Sequence, residues 1–152
     1  MQRSKRTEPA RLLDVNALMA LTQPRHIHAD HAHRWLSTLP EDARIATCPI
    51  TEASFIRLAL NPAVMNQRES LESAVEKLNA LRSPIHGSFL ADPTSLASPR
   101  IDTSRIFGHK QVTDFHLVNL AASSNAVLAT FDRRIAEALA PEDRKYVEII
   151  PV

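Results

Sequence analysis

The sequence predicts one α/β domain: a three-layer α/β/α sandwich around a short-stranded central parallel sheet. Three observations carry that expectation. Short β-prone runs alternate with segments of helical period. The run at 126–130 (AVLAT) is apolar throughout, as a strand covered on both faces must be. A chain of 152 residues, 44% hydrophobic and 23% charged, has the size and composition of a single ordinary core.

Residues 1–9 (MQRSKRTEP) are polar, basic and aperiodic, and are expected to be a loose extension ahead of a domain over 10–152. The apolar run at 11–13 ends abruptly on Asp14 and predicts the first strand, with a helix starting over 16–21. A second helix is expected over 28–39, where Ile27, His31, Trp35 and Leu39 recur every four residues and Pro40 stops it. Residues 44–48 (RIATC) predict a short strand closed by Pro49, and 51–60 (TEASFIRLAL) a helix stopped at Asn61-Pro62. A further helix is expected over 67–81, with Leu71, Ala74, Val75, Leu78 and Leu81 as one apolar stripe. The stretch 82–110 holds three prolines and both glycines, so it reads as loop with a short strand near 88–90. A strong helix over 111–123, the strand at 126–130, a short helix over 133–139 and a last strand at 146–150 complete the pattern.

Composition removes several function classes. No run of eighteen apolar residues predicts a membrane span, and no secretory leader opens the chain. Cys48 is the only cysteine, which excludes an internal disulfide and a cysteine zinc site and fits a reducing, cytoplasmic setting. With only Gly87 and Gly108, no glycine-rich phosphate loop is possible. The formal charge is +1, but setting four clustered acids aside leaves 18 basic residues against 13 acidic, a net +5. Such a shell around an acidic centre suits a polyanion held through a metal.

Four acids map to one end of the sheet. Asp14 ends the first strand, and Glu52 sits in the first turn of the helix after the second. Asp114 lies early in the helix before the 126–130 strand, and Asp132 follows that strand by two residues. Ligands of parallel α/β sheets gather beyond the carboxyl ends of the strands. Two carboxylates about 4 Å apart repel by roughly 4 kcal/mol at an effective dielectric near 20, and a divalent cation reverses that sign. An all-oxygen donor set fits Mg²⁺, or Mn²⁺ in its place, better than Zn²⁺. The competing reading is that these acids simply cap helices or complement helix dipoles, since Asp and Glu are common there.

Four segments resemble a known family. These are LLDVNALMAL (12–21), the spaced residues Thr51, Glu52, Phe55, Arg57, Leu58, Asn61 and Pro62, GHKQVTD (108–114) and LATFDRR (128–134), in that order. Together they resemble the PIN-domain ribonucleases, specifically VapC-type toxins of type II toxin–antitoxin pairs. The resemblance implies Mg²⁺-dependent endoribonuclease activity with Asp14, Glu52 and Asp114 as core acids and Asp132 at the family's variable fourth position. It places Asn16 and Thr130 at polar positions beside the acids. It also implies an RNA substrate, a cognate antitoxin and a homodimer. Lys110 and Arg133, next to two of the acids, are candidates for RNA phosphate contact. The alternative is a catalytically silent PIN-like module that binds RNA or protein.

His26, His28, His31 and His33 form a cluster without a good set of completing zinc ligands, and His31 on the Trp35 stripe reads as a structural residue. Cys48 reads as a small buried strand residue.

Overall fold

The computed structural model describes residues 7–82 and 87–152. Most of the expected N-terminal extension, and four residues of the expected loop at 82–110, lie outside the described residues. Five parallel strands form one sheet: β1 (Ala10–Leu13), β2 (Ile45–Thr47), β3 (Gly87–Phe89), β4 (Ala126–Thr130) and β5 (Val147–Ile149), in the spatial order β3-β2-β1-β4-β5. Helices α1 (Val15–Thr22), α2 (Ala29–Thr38), α3 (Pro49–Ala59), α4 (Leu71–Leu81), α5 (Val112–Ser123) and α6 (Arg133–Ala138) cover its two faces. None of the described helices is long and apolar enough to cross a membrane.

The alternation of β1 and β4 explains the three layers. Leu12 and Leu128 pack against Phe115, Leu117 and Val118 of α5 and Ile135 of α6. Leu13 and Ala129, one residue on, face the opposite core, built from Leu18 of α1, Trp35 of α2, Phe55 of α3 and Leu78 of α4. A strand buried on both sides has no use for polar residues, hence the unbroken AVLA run.

Strand order reverses beside β1. The chain runs outward through β2 and β3, then returns to place β4 on the other flank of β1. Crossovers that leave in opposite directions open a crevice beyond the carboxyl ends of the two strands, and this crevice is where α/β sheets bind ligands.

Several boundaries differ from expectation for local reasons. Helix α4 starts at Leu71 rather than 67, because the Ser70 hydroxyl caps it by accepting from the Ser73 N–H at 3.1 Å. Glu69 is occupied elsewhere, accepting from Lys77 Nζ at 2.7 Å and Gln23 Nε2 at 3.0 Å. Of the α4 stripe only Ala74 and Leu78 are buried, while Leu71 is 55% exposed. Ile27 precedes α2 and is exposed; the buried face of that helix is Ala29, Ala32 and Trp35. Cys48 is buried as expected, but it caps α3 rather than lying in β2. Strand β3 begins at Gly87, where a Cβ would stand 1.8 Å from the Leu81 carbonyl oxygen, so only glycine fits.

The long connection after β3 is tied down by side chains. Asn119 Oδ1 accepts the Arg100 N–H at 2.8 Å, Asp143 Oδ2 accepts the Asp102 N–H at 2.8 Å, and His116 pairs with Asp92. At the opposite sheet end, buried Arg11 pairs with Glu8 and Glu148, and Glu148 also accepts from the Trp35 indole N–H at 2.9 Å. Glu8, expected in the loose extension, is thereby tied to the domain.

Candidate active site

Asp14 sits where β1 gives way to α1. One oxygen accepts the Ala17 N–H at 2.8 Å, which makes Asp14 the N-cap of α1, and the other accepts the hydroxyl of Thr130 at the end of β4. The capping and site readings therefore coincide: the cap is what fixes the carboxylate in place. Thr130 is fully buried, and its oxygen in turn accepts the Asp132 N–H at 3.0 Å. A single hydroxyl thus links the carboxyl ends of the two strands that flank the reversal point.

A cleft of about 140 Å³ opens here, lined by Asp14, Asn16, Thr51, Ser54, Thr113, Asp114 and Asp132 among others. It unites three of the four predicted acids, from β1, α5 and the turn after β4. Asn16 lines it as well. Ser54 and Thr113 line it too, and sequence reasoning missed them; Ser54 lies one helical turn beyond Ile50, another lining residue, so the α3 periodicity carried that signal.

Glu52 is not brought to the cleft. Its carboxylate accepts the Thr47 hydroxyl at 2.5 Å and faces Arg82 at 3.7 Å. Arg82 lies over the Phe89 ring, 4.7 Å from its centroid, which draws Glu52 toward β2 and β3 rather than toward β1 and β4. Lys110 and Arg133 are exposed and do not line the cleft.

The three aspartates are shifted in different directions. Burial pushes Asp14 up to about 6, against the hydrogen bonds from Thr130 and Ala17, and the charges of Asp114 and Asp132 add to the rise. Burial, then the Asp132 charge, also lifts Asp114 above the ordinary carboxylate range. Asp132 is held below it by the Arg134 guanidinium, which donates to both its oxygens at 3.0 Å. Burial and mutual repulsion thus raise two of the acids, while the Arg134 pair lowers the third.

The donor chemistry fits a hard divalent cation. Among the described residues, no group of three or more His, Cys, Asp or Glu side chains stands so as to hold a metal ion by itself. Mg²⁺ does not need one, because it keeps several waters and is usually held by one or two carboxylates. The histidine cluster offers no such set: His28 stacks on Phe131 at 4.7 Å between centroids, and the buried Nδ1 atoms of His28 and His31 have no hydrogen-bond partner. His31, read as a structural residue, thus leaves its buried Nδ1 unpaired among the described residues.

A doubly wound parallel sheet with aspartates at its reversal point is compatible with several nucleotide- and metal-binding classes, and the match of the PIN-domain family model to residues 11–139 shows that the chain belongs to the PIN family. Within it the chain is similar to VapC-type proteins of Mycobacterium tuberculosis (strain ATCC 25618 / H37Rv). It is 38% identical to ribonuclease VapC38 over 141 residues, covering 93% of this chain and 98% of that one. Identity to ribonuclease VapC39 is 37% over 128 residues, covering 84% and 91%. For ribonuclease VapC29 it is 34% over 125 residues, covering 82% and 87%.

Proposed function

We propose that this chain is a cytoplasmic, metal-dependent endoribonuclease, the toxin of a toxin–antitoxin pair, and that it hydrolyses RNA phosphodiesters at the aspartate cleft. The observation that carries the proposal is the convergence of Asp14, Asp114 and Asp132 on one cleft, with two of them raised by burial and mutual repulsion. The names of the similar VapC proteins support ribonuclease activity.

Bound Mg²⁺, or Mn²⁺, would supply a water of lowered pKa and polarise a phosphoryl oxygen. Asp14 and Asp114 are the residues to hold it. Asp14 is preorganised for that role by the Ala17 N–H and Thr130 hydroxyl, so no rotamer need be frozen on binding. Asp132 joins once Arg134 exchanges it for a substrate phosphate, a swap between two anionic partners of one guanidinium. In this reading Asn16, which lines the cleft, donates to substrate, and Lys110 and Arg133, exposed outside the cleft, meet flanking phosphates. Glu52 contributes negative potential from beside β2 and is the least engaged of the four acids. Partners in this reading are an RNA, a cognate antitoxin and a second copy of the chain.

The competing reading, a silent PIN-like module, draws on the lack of a three-ligand group among the described residues and on the Asp132–Arg134 pair. Purified protein incubated with RNA in Mg²⁺ or Mn²⁺ separates the two. Cleavage by the parent that falls by at least about a hundredfold in Asp14→Asn and Asp114→Asn supports the nuclease. Equal cleavage by the variants, or none by the parent, overturns it.

A further inference from the structure

Phe107 is 85% exposed, whereas Phe55 and Phe115 are buried in the two cores. Its backbone is fixed: Gln111 Oε1 accepts the Phe107 N–H at 2.8 Å and the Gly108 N–H at 3.3 Å. The ring is therefore presented to solvent on a pinned loop. It borders a groove of about 530 Å³, lined by Arg105, Phe107, Gln111, Arg134, Glu137 and Ala138. Arg134 also grips Asp132, so the groove adjoins the aspartate cleft through one side chain.

We propose that this groove is a stacking subsite for one base of single-stranded RNA, with Phe107 as the platform and Arg105 and Arg134 holding the adjoining phosphates. The inference rests on the nuclease reading and adds a substrate subsite to it. An aromatic face between cations is how single strands are bound without sequence readout, because every base has a π-face and every linkage a charge. The groove is shallow and open along the surface, the form expected of a stacking platform rather than of an enclosed pocket. Arg105 and Arg134 line the groove against Glu137, and Arg134, paired with Asp132, meets a phosphate by releasing that carboxylate. Pinning by Gln111 removes an ordering cost on binding.

The test uses the full chain in EDTA, so that nothing is cut, and a fluorescein-labelled single-stranded RNA of roughly ten nucleotides, within the site sizes of such binders. Anisotropy is read for the parent, Phe107→Ala and Phe107→Trp, against this RNA and against the same backbone carrying abasic positions. Phe107→Ala is expected to lose on the order of tenfold affinity for the RNA and to match the parent on the abasic strand. Phe107→Trp should restore binding, with its indole emission quenched by RNA. Unchanged affinity in Phe107→Ala, or equal loss on both strands, overturns the subsite. So does a change of association state by sedimentation with RNA affinity intact, which would make the ring a protein interface. A Phe107-dependent parent that cuts nothing in Mg²⁺ or Mn²⁺ overturns the nuclease reading and keeps the subsite. A parent that cuts RNA, with Phe107→Ala binding and cutting equally well, does the reverse.

Discussion

Asp14 combines two tasks that pull its chemistry in opposite directions. Capping α1 and accepting from Thr130 favour the ionised form, while burial opposes it, and burial wins. An acid whose folded-state pKa is raised contributes most to stability when protonated. The contribution is complete below about 3.8 and is lost as pH climbs through about 6. The swing corresponds to about 3 kcal/mol. In urea denaturation without divalent ions, the parent is therefore expected to lose stability from about pH 4 to about pH 6 and to level off above that, and Asp14→Asn to lose much less. Asp92 has the opposite sign: the Thr94 and His116 hydrogen bonds hold its pKa down, so its share appears above 3.8 and disappears as pH falls through the lowered value. Spacing alone placed Asp14, Asp114 and Asp132 at one sheet end. Glu52 also stands at that end, beside Thr47 of β2, but what spacing does not show is its partners, since Thr47 and Arg82 engage it and Arg82 lies thirty positions away in the chain.

Among elements, legibility followed burial. Strand β4 matches the expected 126–130 because an unbroken apolar run has only one use in a covered sheet. Helix α4 starts after the expected 67 because Glu69 binds Gln23, Ser73 and Lys77 and Ser70 caps the first turn. Ser70 should therefore behave as a cap and nothing more. Ser70→Ala is expected to cost about 1 kcal/mol in urea denaturation and to leave RNA cleavage unchanged. The Ile27–Leu39 stripe overreached at its first member for a similar reason: α2 begins at Ala29, and a period extended past a helix end describes no shared face.

At the scale of the molecule, the reversal of strand order beside β1 gathers three acids from distant segments, which leaves 18 basic residues against 14 acids elsewhere, a net +4 that suits the proposed polyanion. RNA affinity measured in EDTA should then fall linearly in log–log form with rising salt, at a slope of about −0.7 per phosphate neutralised on a single strand. A flat response would mean that the surplus does not meet the substrate. The connection from Leu90 to Gly108 has a consequence of another kind. Arg100 and Asp102 give their amide hydrogens to Asn119 and Asp143, both buried. This stretch without regular structure should consequently take up deuterium at those two positions as slowly as a core helix, an inlay in the protein rather than a flap upon it.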